Sequence, residues 1–115
     1  MSCILIVEDE PAILRLVTMV VQELGLEVVA VPDAETALET MAERRPRIVL
    51  ADVRLPGMDG LELVRRIRSD PDLARVPVLL MSAYGEPMDH DGDGFLAKPF
   101  DPDQLTESLR RHLET

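Results

Sequence analysis

The sequence predicts a three-layer α/β sandwich around a five-stranded parallel sheet. Three observations carry that prediction. Five short apolar runs stand apart along the chain, and four of them end in a polar, chemically active residue. Segments with apolar residues three and four apart lie between most of these runs. The connections are short, and strands that alternate with helices pack as a parallel sheet with right-handed crossovers.

Cys3-Ile4-Leu5-Ile6-Val7 is a continuous apolar run, as in a strand buried on both faces, and it stops at Glu8-Asp9-Glu10. Pro11 suits the first position of a helix. Ile13, Leu16, Val17, Val20, Val21 and Leu24 follow at helical spacing, and Gly25 closes the segment. Glu27 to Val31 is the second strand. Asp33 caps a helix that carries Ala37, Leu38 and Met41. Arg47 to Ala51 is the third strand, ending at Asp52. Leu55-Pro56-Gly57-Met58-Asp59-Gly60 is a loop of turn formers before a helix marked by Leu61, Val64 and Ile67. Val76 to Met81 is the fourth strand, ending at Ser82, and Phe95-Leu96-Ala97 the fifth, ending at Lys98. Asp101-Pro102-Asp103-Gln104 is a capping-box start for a last helix with Leu105, Leu109 and Leu113. Five such strands suit the flavodoxin-like order 2-1-3-4-5, in which ligands bind beyond the carboxyl ends of the strands.

The length of 115 residues gives one domain, 1–115, with one real core. Twelve basic residues against 22 acidic ones leave a net charge of −10. That charge argues against nucleic acid or an anionic membrane as a direct partner. The lone Cys3 excludes an internal disulfide framework and fits a reducing compartment. No apolar run reaches a membrane span, and Met1-Ser2-Cys3 lacks the positive region of a secretory signal, so a cytoplasmic location is expected.

In a parallel sheet the residues that follow the strands share one edge. Glu8, Asp9, Asp52, Ser82 and Lys98 are therefore expected in one shallow cleft. Clustered carboxylates suit a hard cation such as Mg²⁺, and Lys98 sets a positive charge opposite them. A hydroxyl, a lysine and a metal around a central Asp describe a phosphoryl-transfer site with Asp52 as nucleophile. Taken singly, Asp9 or Glu10 also reads as a helix cap, Asp52 and Ser82 as turn residues, and Lys98 as a solvated charge.

These residues resemble the receiver domain of two-component response regulators, which has the chemotaxis-regulator-like fold. The carrying motifs are Ile4-Leu5-Ile6-Val7-Glu8-Asp9-Glu10, Asp52-Val53-Arg54-Leu55-Pro56-Gly57-Met58-Asp59-Gly60, Met81-Ser82-Ala83 and Lys98-Pro99-Phe100. The resemblance implies that Asp52 is the phospho-acceptor, fed by a histidine kinase or phosphotransfer protein. It implies a Mg²⁺ held by Asp9 and Asp52, by the Arg54 carbonyl, and by Glu8 through a water. Ser82 matches the switch hydroxyl and Lys98 the phosphate-pairing lysine, followed by a cis bond to Pro99. Phe95 falls where the family often has a switch aromatic, although core packing explains it equally well. Arg54 and Tyr84 fall at positions that line the approach to the phosphoryl group. The implied output is a downstream protein or a fused domain, with homodimer formation open on activation.

The chain departs from the family pattern between Ser82 and Lys98. Only fifteen residues separate them, from Ala83 to Ala97, and Gly85, Pro87, Gly92 and four acids oppose a helix there. Helix 4 of the usual receiver is expected to be absent or a single turn. The same stretch holds Asp89-His90-Asp91-Gly92-Asp93-Gly94, half of a calcium-binding loop, but Phe100 stands where its final Glu belongs. A solvated acidic loop is the plainer reading, with His90 and His112 as exposed surface residues. Rival functions are a phosphohydrolase, which would need an acid where Arg54 stands, and a pseudo-receiver that binds a partner without being phosphorylated. The receiver reading makes the chain a signalling module, not an enzyme.

Overall fold

Five strands and four helices follow one another in the computed structural model, which describes residues 3–113. Met1 and Ser2, on which the expectation of no secretory signal rests, lie outside the described residues, as do Glu114 and Thr115. The elements are β1 (Cys3–Val7), α1 (Pro11–Glu23), β2 (Glu27–Val31), α2 (Ala34–Glu43), β3 (Ile48–Asp52), α3 (Gly60–Ser69), β4 (Val78–Ser82), β5 (Gly94–Ala97) and α4 (Pro102–Leu113). The strands are parallel and lie in the order β2-β1-β3-β4-β5. This is the flavodoxin-like sandwich the sequence predicts.

The alternation of side chains along each strand divides the core in two. Leu5, Val7, Val49, Ala51, Val78 and Leu80 face α2 and α3, where they meet Met41, Leu63, Val64 and Ile67. Ile4, Ile6, Ile48, Leu50, Leu79 and Met81 face the other way, toward Val17, Val20 and Val21 of α1 and Leu105 and Leu109 of α4. Every residue of β1 and β4 is buried. Strands covered on both faces must be apolar throughout, which is why they appear in the sequence as unbroken runs.

The helix starts follow local chemistry. Pro11 opens α1. The Asp33 and Asp59 carboxylates accept from the Thr36 and Glu62 amides at 2.7 and 2.9 Å, satisfying donors that the first turns leave free. Asp101 and Gln104 form the reciprocal capping box: each side chain accepts from the other's amide, at 2.8 and 2.9 Å. The Asp33 cap and this box match the expectation. Val76, expected to open the fourth strand, instead belongs to the turn before it, where its amide bonds Leu73. Pro77 has no amide to give to a ladder, so pairing begins at Val78.

No helix forms between β4 and β5. Residues 83–93 run as an irregular segment with a turn at Met88 and Asp89. Asp89 takes a φ of 55°, and Gly85 a φ of 92°, a left-handed conformation that costs glycine little. The segment is pinned at its end, where the Asp93 amide bonds the Val78 carbonyl at 2.8 Å and the Asp93 carboxylate accepts from the Val78 amide at 2.7 Å. No helix of the described residues is long and apolar enough to cross a membrane.

Candidate functional site

The carboxyl edge of the sheet brings three of the predicted residues into contact. The Lys98 ammonium lies 2.7 Å from Glu8 Oε2 and 2.7 Å from Asp52 Oδ2, with Glu10 farther off at 3.7 Å. Glu8 is only 2% exposed, although it is the first polar residue after β1. Its second oxygen, Oε1, turns back to accept from the Asp9 and Glu10 amides at 3.2 and 3.1 Å. Both carboxylate oxygens are thus satisfied, as burial requires.

The electrostatics follow from that burial. Removal from water pushes the Glu8 carboxyl above its ordinary pKa, more strongly than the hydrogen bond from Lys98 pulls it down. Burial also opposes the Lys98 charge, but the hydrogen bonds to Asp52 and Glu8 outweigh it and hold the ammonium above the usual lysine value. Lys98 is therefore a fixed positive charge.

Asp52 ends β3 opposite Met81 of β4. One of its oxygens, Oδ1, accepts from the Arg54 amide at 3.0 Å, a turn bond within the loop that follows β3. Gly60, the first residue of α3, packs against this same turn. A Cβ at position 60 would lie 2.4 Å from the Asp52 carbonyl oxygen and 3.0 Å from Val53 Cα. Only glycine lets α3 start this close to the end of β3.

Ser82 is buried at the end of β4, and its Oγ accepts from the Tyr84 amide at 3.0 Å. This is the backbone-bonding turn hydroxyl that its type allows. The Arg54 guanidinium lies over the Tyr84 ring, 4.1 Å from its centroid, and so joins the loop after β3 to the loop after β4. Asp9 is exposed and does not join the Glu8–Lys98–Asp52 contact. Phe95 is half-buried and packs on the α2–α3 face of the core. The Lys98–Pro99 bond is cis, as the resemblance implies.

Among the described residues no three acids, histidines or cysteines form a ready-made metal cage. The oxygen donors at the edge nevertheless fit Mg²⁺ by their chemistry. Glu8, Asp9, Asp52 and the Arg54 carbonyl are hard ligands at adjoining strand ends, and Mg²⁺ keeps several waters of its own. The calcium-loop motif fares differently, because Asp93 turns its carboxylate to Arg68 and the Val78 amide instead of a loop centre.

Two residues have roles that their sequence positions do not reveal. Arg68 of α3 donates to the Ala74 and Val76 carbonyls at 3.0 and 2.8 Å and to the Asp91 carbonyl at 3.1 Å, and pairs with Asp93. It ties the turn before β4 to the end of the irregular segment. An arginine in the last turn of a helix, beside Arg66, gives no hint of this, since the complementary charge of the helix end explains it already. His90 was expected at the surface, but its side chain is 9% exposed. Its Nδ1 accepts from the Gly92 amide at 3.1 Å, leaving Nε2 to donate to Glu86 at 2.7 Å. The spacing Glu86, His90, Gly92 was the available signal.

The fold and its edge of acids and lysine define the chain as a receiver-type signalling domain. It belongs to the response regulator receiver domain family, whose model matches residues 4–110. The chain is 32% identical to the DNA-binding response regulator MtrA of Mycolicibacterium smegmatis, over 96% of this chain and 50% of that protein. It is 37% identical to the transcriptional regulatory protein CseB of Streptomyces coelicolor, over 93% of this chain and 47% of that one. The chain thus spans about half the length of these relatives. Among solved structures, chemotaxis response regulator CheY4 of Vibrio cholerae superposes with a TM-score of 0.90 at 29% identity, covering 98% of this chain and 99% of that one. The receiver domain of sensor histidine kinase PA1611 of Pseudomonas aeruginosa, solved with magnesium in its active-site cleft, gives 0.90 at 30% identity, covering 99% and 98%.

These relatives correct one expectation. The net charge argues against direct nucleic-acid binding, yet relatives are a DNA-binding response regulator and a transcriptional regulatory protein. The charge describes these 115 residues alone. A domain's charge does not limit what a longer protein containing such a domain binds.

Proposed function

We propose that this receiver domain accepts a phosphoryl group on Asp52 from a histidine kinase or phosphotransfer protein, and that the modified domain changes conformation to control a partner or an attached domain. The carrying observation is the Lys98 ammonium, 2.7 Å from both Asp52 and the buried Glu8. Asp52 Oδ2 attacks phosphorus, an O–P bond forms, the N–P bond to the donor histidine breaks, and the freed imidazole takes a proton. Lys98, kept charged by its two carboxylate partners, offsets the charge on the transferring group. When bound, Mg²⁺ supplies further positive charge, held by Asp9, Asp52 and the Arg54 carbonyl, with Glu8 acting through a water.

Ser82 Oγ accepts from the Tyr84 amide in its turn, and rotation about the side-chain bond would carry the hydroxyl toward a new acceptor on Asp52. Tyr84 and Arg54 would move with it, because their stack bridges the two loops. Phe95 serves first as packing. The domain turns over no external substrate and works in the cytoplasm, consistent with the free Cys3.

Intact mass after incubation with a small-molecule phosphoryl donor, with and without Mg²⁺, tests this reading. One Mg²⁺-dependent phosphoryl gain is expected, absent in Asp52→Asn. No gain with any donor would leave the domain as a binding module that works unphosphorylated.

A further inference from the structure

The amino ends of the strands, opposite the acid edge, carry a feature that phosphoryl transfer does not use. A cleft of about 370 Å³ opens between the loop preceding β3 and the loop preceding β4. Arg45, Pro46, Arg47, Asp72, Arg75 and Pro77 are among its lining residues. Three arginines and one aspartate make this a positive site on a protein whose net charge is −10. A quarter of the chain's 12 basic residues meet there.

The walls are already fixed. Arg45 donates to the Asp72 carbonyl, joining the two loops. Arg47 donates to the Leu113 carbonyl at 3.1 Å, and its amide bonds the Cys3 carbonyl at 2.8 Å. Arg68 clamps the Ala74 and Val76 carbonyls from beside the cleft. Proline rings stiffen both loops. Among the described residues no hydrogen bond or ion pair engages the Arg75 guanidinium. Walls held in place beforehand keep the ordering cost of anion entry low, and the Arg75 guanidinium breaks no internal bond to meet the anion.

We propose that this cleft binds the phosphate monoester of a small phosphorylated ligand such as a mononucleotide. A phosphate monoester carries about −1.5 to −2 charge near neutral pH and three terminal oxygens. That matches the excess of arginine over aspartate, and guanidinium forks pair with phosphate oxygens in bidentate fashion. The volume falls within the ~300–1,000 Å³ of small-ligand sites. The prolines offer an apolar wall for the rest of the ligand.

The test follows amide NMR shifts of the intact chain, in the presence of a chelator, during titration with adenosine monophosphate and with inorganic pyrophosphate. Saturating shifts at Arg45, Arg47 and residues 72–76 are expected. Arg75→Ala, which breaks no internal contact, should weaken binding at least about tenfold. Asp52→Asn should leave it unchanged. Tighter binding of the nucleotide than of pyrophosphate would support a role for the proline wall. Shifts that grow without saturating, that centre on Lys98, that persist in Arg75→Ala, or that citrate reproduces at equal affinity would each overturn the phosphate assignment.

Discussion

β3 and β5 both deliver a reactive side chain to the same edge, but they are supported very differently. β3 lies between β1 and β4, and four of its five residues are buried; only Asp52 emerges. β5 is an edge strand of four residues with one fully buried, and the segment before it has no helix to cover its α2–α3 face. Lys98, after β5, is held by side-chain charge at Glu8 and Asp52, whereas Asp52 is held by the packed strand beneath it. One arm of the site is fixed by the core and the other by its partners. The weaker arm is the one a change of charge at Asp52 can move.

The largest effect should separate the two strands directly. Leu50→Ala, at a fully buried site in β3, should cost about 2–5 kcal/mol in urea unfolding. Phe95→Ala, half-buried on β5, should cost less than half as much, because part of the ring already meets water. Equal losses would mean that β5 is as firmly built in as β3.

Lys98→Ala comes next and should cost on the order of 3 kcal/mol near pH 8, since it leaves the buried Glu8 unpaired. The pH dependence has a definite sign. Glu8 already has a folded pKa above the unfolded value of 4.5, so the folded state binds the proton more readily and stability falls as pH rises through that interval. Without Lys98 the folded pKa rises further. The variant's deficit should therefore shrink as pH falls from 8 and Glu8 takes up a proton above its ordinary range. Unfolding in a chelator across this range checks this; a deficit independent of pH would place the loss elsewhere.

Smaller effects should be confined to the segment before β5. Arg68→Ala removes the clamp on Asp91, Asp93, Ala74 and Val76 and should cost about 1–3 kcal/mol. His90→Ala should cost about 1 kcal/mol, and faster amide hydrogen exchange should be limited to residues 86–93. Exchange that accelerates equally in β3 would show that the segment and the core open together.

The two strands also differ in how far the sequence discloses them. The β1 and β3 runs, their terminal Glu8 and Asp52, and the Asp33 cap were legible because double burial and helix capping leave residue-level patterns. The missing helix was legible from Gly85, Pro87 and Gly92. Direct bridging of Glu8 and Asp52 by Lys98 was not, because an ion pair between residues 90 and 46 positions apart has no local signature. The partners of His90 lie only four and two positions away, but its burial depends on the path of an irregular loop, which the spacing alone does not fix. The tight seat of Gly60 against Asp52 looked like one more turn glycine until the approach of the two backbones was visible.

The division of charge between the two ends of the sheet has a consequence for encounters in solution. Glu8, Asp9, Glu10 and Asp52 mark one edge, with Lys98 among them, while Arg45, Arg47 and Arg75 mark the other, where Asp93 closes on Val78 and Arg68. Charge is thus divided unevenly between the two edges of a molecule whose net charge is −10. A cationic body within a Debye length, about 8 Å at physiological ionic strength, exerts a torque on it before any contact forms. Rotational search is shortened, and the acid edge arrives first. Added salt should slow such encounters while leaving the lifetime of the docked pair nearly unchanged.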